Sequence, residues 1–142
     1  MTITYEIELA RELLRTKGTG GLTWDEVEAH LHELAADPRF QRPLDVILDL
    51  GECTSLPERN QLEGIANQLK ELGGRSRFRR LAVVANRAAL YGMMRVFGVV
   101  AEEQFRALNI FNTVLEAEAW LRGKPPTAPP SNRDPDSPKP LG

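Results

Sequence analysis

The sequence is poor in the side chains that form disulfides and metal sites. It has one cysteine and two histidines in 142 residues. Because a disulfide needs two cysteines, Cys53 has no partner within the chain, which favours a reducing compartment. His30 and His32 are two positions apart on a predicted helix, whereas paired metal ligands on a helix are three or four residues apart. A zinc site is therefore not expected, and no cofactor is predicted.

Long apolar runs and an excess of positive charge are also absent. No segment approaches the roughly 20 apolar residues that span a bilayer, and residues 1–13 lack the basic start and apolar stretch of a signal peptide. The net charge of −2 gives no general attraction to nucleic acid or anionic membranes. Residues 75–80, RSRFRR, are the one basic cluster, and a solvated loop is its simpler interpretation. We therefore expect a cytoplasmic protein without stable membrane insertion and without a nucleic-acid partner.

The last twenty residues differ in composition from the rest. Residues 123–142 contain seven of the ten prolines and few large apolar side chains. Proline fixes φ and removes a backbone donor, so this segment is predicted to be a disordered, Pro-rich tail. A proline-reading partner module is one use for it, and a solubilising tail or linker remnant is the simpler one. The folded domain is predicted to be residues 1–122.

The first half of that domain alternates strand-like and helix-like segments. Residues 3–9, ITYEIEL, alternate apolar and polar side chains, which is typical of a half-buried strand. Residues 12–20 are expected to return beside it as a hairpin. Thr23 with Glu26 three positions later matches a capping box and predicts a helix start. Residues 44–51, LDVILDLG, are nearly all apolar, as expected of a strand covered on both faces.

The second half continues the alternation. A helix is predicted over residues 57–72, a strand over 79–85, a helix over 87–98, a short strand over 107–113 and a last helix over 114–123. The resulting order is ββαβαβαβα. Strands separated by helices favour parallel pairing through crossover connections. The sequence therefore predicts a single-domain α/β sandwich around a mixed, mainly parallel sheet of about five strands.

Three stretches carry a resemblance to a known family. They are VILDL at residues 46–50, LAVVAN and YGMMRVF within residues 81–97, and IFNTVLEAEAWL at residues 110–121. Together they resemble the SpoIIAA-like branch of the STAS superfamily over nearly all of residues 1–122. The resemblance implies a fold shared with sporulation anti-sigma-factor antagonists and with part of the Sec14 lipid-transfer domains. Its residues are fold signatures, so it implies architecture rather than an activity.

The resemblance also bears on phosphorylation. The antagonists carry a phosphorylatable serine at the start of the helix after the central strand. The matching positions here, residues 57–60, read PERN and contain no phosphoacceptor. Thr54 and Ser55 lie a few residues earlier and are candidate phosphorylation sites, for which a cap or turn role is the simpler interpretation.

The start of the helix at residues 87–98 is a candidate ligand site. It follows a strand directly, and ligands of open α/β sheets bind at such strand ends. Asn86 is expected to cap the helix, and Arg87 adds positive charge near its free amide groups. Tyr91 and Arg95 follow at spacings of four. This arrangement predicts capture of an anionic group, whereas in the simpler alternative Asn86 only caps, the arginines are solvated and Tyr91 packs.

The same helix is also a candidate interface. Met93, Met94 and Phe97 belong to an apolar surface that extends around most of the helix, more than one buried stripe requires. Such a helix must be buried on nearly every side or contact a partner, and methionine adapts to varied apolar surfaces. A second copy of the chain, another protein and a lipid tail are the candidate partners, and burial in the core of the chain itself is the plain alternative.

The sequence predicts binding rather than catalysis. Asp45, Asp49 and Glu52 cluster around the predicted central strand, but no nucleophile or proton acceptor is identified with them. We therefore expect a non-enzymatic, regulatory interaction module that binds a partner protein or itself through the helix at residues 87–98. The alternative is a carrier or sensor of a small apolar or anionic, lipid-like ligand near Asn86.

Overall fold

A single mixed sheet with four helices makes up the part of the chain that the computed structural model describes, residues 2–123. The predicted tail, residues 123–142, lies outside the described residues except for Gly123. The elements are β1 (Thr2–Glu8), β2 (Leu13–Gly21), α1 (Trp24–Ala35), β3 (Leu44–Ser55), α2 (Leu62–Glu71), β4 (Phe78–Val84), α3 (Ala88–Val100), β5 (Ala107–Phe111) and α4 (Val114–Leu121). The predicted order ββαβαβαβα and the predicted sheet are confirmed.

The strands lie in the sheet in the order in which they occur in the chain, β1-β2-β3-β4-β5. β1 is antiparallel to β2, with Tyr5 opposite Thr16, and the other neighbours are parallel. Each parallel crossover joins adjacent strands and carries one helix, and a constant crossover hand puts these helices on one face. Residues of α1, α2 and α3 accordingly share the larger core cluster, whereas α4 packs in a smaller cluster on the other face.

Local signals explain where most elements begin. The Thr23 hydroxyl accepts from the backbone N–H of Glu26, and the Glu26 carboxylate accepts from the backbone N–H of Thr23, so the predicted capping box starts α1. β3 extends to Ser55, beyond the predicted residue 51. α2 begins at Leu62 rather than near residue 57, because the three residues before it form a 3-10 turn capped by Glu58.

Candidate functional site

The start of α3 differs from the prediction. α3 begins at Ala88, so the N-cap is Arg87, and no side chain among residues 2–123 caps it. Asn86 lies one position too early to cap, and both Asn86 and Arg87 are exposed. The predicted cap at Asn86 is wrong.

Tyr91 and Arg95 lie on one face of α3, as their spacing predicts. Tyr91 is half-buried and packs against the larger core cluster. The guanidinium of Arg95 lies 6.0 Å from the centre of the Tyr91 ring and is exposed. Both side chains therefore match the simpler alternative, packing for Tyr91 and solvation for Arg95.

The predicted interface on α3 needs correction. Met94 and Phe97 are only 4% and 5% exposed and belong to the larger core cluster, while Met93 is half-buried against it. The reason is that α3 contacts α2, β5 and the short 3-10 segment that follows it, so several of its faces are covered by the chain itself. Val99 and Val100, at 73% and 36% exposure, are the large apolar residues that α3 presents outward.

Thr54 and Ser55 are the last two residues of β3, and both are exposed. The backbone carbonyl of Ser55 accepts a hydrogen bond from the N–H of Leu22 (3.0 Å). They occupy a strand end, not the helix-cap or turn position that the sequence suggested. Six residues separate Ser55 from the first residue of α2.

The basic cluster at residues 75–80 is not a solvated loop. The Arg80 guanidinium donates to both carboxylate oxygens of Asp45 (3.1 and 2.8 Å), and Arg79 adds a longer contact of 3.3 Å. Arg79 also pairs with Glu12 (2.9 Å), and Arg77 donates to the backbone carbonyl of Phe40. Arg79 and Arg80 are thus paired with carboxylates within the chain, whereas Arg77 is bonded to a backbone carbonyl.

The structure adds one candidate site, a cavity of about 130 Å³. It lies between the sheet and helices α1, α2 and α3, on the face that carries the larger core cluster. Its wall consists of side chains from β1 to β4 and from α1 to α3, with Leu34, Leu50 and Phe97 among them. Sequence patterns do not reveal this cavity, because the same apolar residues that predict a core also line the space.

Polar groups are scarce in the cavity wall. Thr16 and His30 are the polar side chains among the described residues that line it, and none of these lining residues is Asp, Glu, Lys or Arg. Burial lowers the pKa of His30 to about 4, so its imidazole is neutral near pH 7. Because desolvating an unpaired charge is costly, the cavity suits an uncharged, mainly apolar molecule.

Metal-binding clusters and membrane-spanning helices are both absent from residues 2–123. Within residues 2–123, no three His, Cys, Asp or Glu side chains are grouped so that they could hold a metal ion. In the same range, no helix combines the length and apolar character needed to cross a membrane. Cys53 is buried, and its burial is the main reason that the pKa of its thiol is raised. The nearby Asp49 carboxylate raises this pKa further.

Comparison with known proteins gives a likeness in fold. No protein-family model matches the chain, and no curated protein matches it. One similar solved structure is an uncharacterized protein of the DUF3478 family with a SpoIIAA-like fold from Shewanella loihica PV-4. The two share 23% identity with a TM-score of 0.55, over 84% of this chain and 94% of the other. The resemblance in the sequence is thereby confirmed at the level of architecture: this chain has a SpoIIAA-like fold.

Proposed function

We propose that the protein is a non-enzymatic, cytoplasmic binding module that holds a small apolar ligand in the cavity between the sheet and helices α1 to α3. The observation that carries the proposal is a cavity of about 130 Å³ with an almost wholly apolar wall. An engineered apolar cavity of about 150 Å³ in another protein stays dry and binds benzene. The space here is of the same order.

The energetics favour occupation. An unfilled apolar cavity lacks packing partners for the side chains that line it. A ligand that fits the space regains dispersion contacts with the wall and leaves water. Binding of an apolar molecule can therefore stabilise the fold.

An anionic ligand at the start of α3 is not part of this proposal. Asn86 and Arg87 are exposed, and within residues 2–123 no side chain caps the first turn of α3. The cavity offers no arginine or lysine to pair with an anion among the described residues that line it. Of the two predicted kinds of ligand, apolar and anionic, both observations favour the apolar one.

The test is titration of the full chain with benzene, followed by methyl-region NMR. Ile65 lines the cavity, and Ile7 does not, although both are 9% exposed. In Ile65→Phe the added ring occupies cavity space, so saturable benzene shifts should disappear. Ile7→Phe enlarges a filled part of the core, at a cost of about 1–3 kcal/mol, and should keep the shifts. Absence of saturable binding to the wild-type protein would rule the proposal out.

Self-association is the second candidate. The observation that favours it is the pair Val99 and Val100, which α3 exposes at its C-terminal end. In a twofold dimer the same two valines of each copy would pack against those of the other copy. Light scattering after gel filtration should show a dimer that Val99→Asp dissociates, whereas Leu115→Asp, at an exposed position on α4, leaves it intact. A wild-type monomer at all concentrations would remove this candidate.

A further inference from the structure

β1 is an edge strand of the sheet. Within residues 2–123 its one strand neighbour is β2, and the pairing between them runs from Thr2 to Glu8 without a bulge. The sequence of β1, TITYEIE, contains no proline and no lysine. Prolines, lysines and bulges commonly keep the edge of a sheet from pairing with a further strand. The edge of β1 therefore lacks these barriers to another neighbour.

The hydrogen bonds between β2 and β3 fix the direction in which the backbone of β2 points. The Asp45 N–H donates to the Glu12 carbonyl (2.9 Å), and Asp45 lies beside Leu13 in the parallel register. In a parallel ladder, the residue between two bonded positions turns its own N–H and C=O to the opposite side. Leu13 therefore faces β1 with its backbone groups, as do the alternate residues Arg15 and Lys17.

The same alternation identifies the outward backbone groups of β1. Arg15 lies opposite Glu6, so these two residues form a hydrogen-bonded pair of the antiparallel ladder. Tyr5 is the next residue along β1, and its N–H and C=O point out of the sheet, together with those of Ile3 and Ile7. No turn or loop backbone within residues 2–123 hydrogen-bonds to these groups. They form a row of strand donors and acceptors along the edge.

The other edge of the sheet is less suited to pairing. β5 has five residues, against seven in β1. Its Asn109 side chain accepts, through Oδ1, a hydrogen bond from the backbone N–H of Ile110 (3.0 Å). A side chain that bonds to the backbone in this way competes with strand pairing. β1 is therefore the longer and simpler edge for a further strand.

We propose that β1 pairs with β1 of a second copy of this chain, so that two sheets join into one across a twofold axis at Tyr5. In the antiparallel register centred on Tyr5, Ile3 faces Ile7 of the second copy. Each facing pair of outward residues exchanges two backbone hydrogen bonds. This register uses Ile3, Tyr5 and Ile7 of both copies at once. The inference is independent of the cavity.

The side chains of β1 favour a second copy in this register. Thr4 would face Glu6 of the second copy, and Thr2 would face Glu8, so no glutamate lies directly opposite another. Like charges directly opposite each other destabilise a strand pair. Moving the axis from Tyr5 to Glu6 would place the two Glu6 side chains against each other. The charge pattern therefore selects the register in which all the outward backbone groups are paired.

Sedimentation equilibrium of the full-length protein tests the proposal with variants on the exposed side of β1. Thr4→Glu places a carboxylate opposite Glu6 of the second copy at both symmetric positions, so the Kd of the dimer should rise about tenfold. Adding Glu6→Lys to this variant converts repulsion into attraction and should restore the wild-type Kd. Thr54→Glu makes the same substitution at the exposed end of β3 and should leave the Kd unchanged.

Amide hydrogen exchange locates the contact. The N–H groups of Ile3, Tyr5 and Ile7 should exchange more slowly at concentrations where the dimer forms. A wild-type protein that is monomeric at all concentrations would overturn this inference and leave the cavity proposal intact. A dimer that Val99→Asp dissociates and Thr4→Glu leaves unchanged would assign association to α3, which also overturns it. Failure of the added Glu6→Lys to restore the dimer would show that β1 does not pair in this register.

Discussion

The Arg80 guanidinium donates two hydrogen bonds to the Asp45 carboxylate, from Nε to Oδ1 (3.1 Å) and from Nη2 to Oδ2 (2.8 Å). Asp45 is only 4% exposed, and its Oδ1 also accepts from the backbone N–H of Arg80 (3.1 Å). The same guanidinium donates to the backbone carbonyl of Leu121 (2.6 Å) at the end of α4. Arg80 therefore links β3 and β4 through its ion pair with Asp45, and links both strands to α4 through its hydrogen bond to Leu121.

Removal of the Asp45 carboxylate should lower the free energy of unfolding. Asp45→Ala leaves Arg80 partly buried without its partner, and breaking such a pair typically costs about 3 kcal/mol. Asp49→Ala is the matched control, since its carboxylate lies on the same strand and accepts one backbone N–H, that of Gly51 (3.0 Å). Its loss should stay near 1 kcal/mol. Urea unfolding of the two variants measures the difference, and equal losses would contradict the assigned role of Asp45.

Acid should weaken the fold through His30. The folded-state pKa of His30 is lowered to about 4 by burial, whereas an unfolded histidine titrates near 6.5. As the pH falls below 6.5, the unfolded chain takes up a proton that the native imidazole does not, so the free energy of unfolding decreases. Between pH 6.5 and 5 the loss is on the order of 2 kcal/mol, and above pH 7 this group contributes no pH dependence.

Variants identify the group responsible for this slope. His30→Leu should flatten the dependence of unfolding free energy between pH 6.5 and 5, while His32→Leu should retain it. The window excludes most of the contribution of carboxylates such as Glu8 and Glu118, whose pKa values are lowered by hydrogen bonds from Arg15. Their stabilising effect is lost at lower pH. An unchanged slope in His30→Leu would show that the imidazole is not desolvated in the fold.

Cys53 should report opening of the core. Its side chain is completely buried, and burial raises the pKa of the thiol, so the native state offers little reactive thiolate. We expect iodoacetamide at pH 8 to label the native protein at least a hundredfold more slowly than the urea-unfolded chain. Mass spectrometry over time measures both rates. Rapid native labelling would place Cys53 at the surface, in conflict with its position in the larger core cluster.

Much of the fold could be predicted because local signals act within a few residues. The alternation in β1 places Ile3, Tyr5 and Ile7 on one face, and the capping box at Thr23 defines the start of α1 without reference to distant parts of the chain. The start of α3 was harder to predict, because neighbouring residues compete for the N-cap. There Arg87 takes the position although it provides no side-chain cap.

The site depended on contacts that sequence patterns do not record. Burial of Met94 and Phe97 follows from how α2 and β5 pack around α3, which apolar periodicity cannot specify. Asp45 and Arg80 are 35 residues apart and meet only because β3 and β4 are neighbours. The cavity is a gap between apolar side chains, so its presence changes no feature of the hydrophobic pattern.

Two glycines offer opposite outcomes from the same substitution. A Cβ atom on Gly18 would lie 2.8 Å from Leu22 Cδ1 and 3.0 Å from Cys53 Sγ, both buried, so Gly18→Ala should cost about 1–3 kcal/mol. A Cβ on Gly92, exposed in the middle of α3, would meet nothing within 4 Å. Gly92→Ala should therefore stabilise the protein by up to about 1 kcal/mol, because alanine loses less backbone entropy in a helix. Thermal unfolding should show a lower Tm for Gly18→Ala and a higher Tm for Gly92→Ala than for the wild-type protein. A stabilising Gly18→Ala would mean that β2 and Cys53 pack less closely than in the structure.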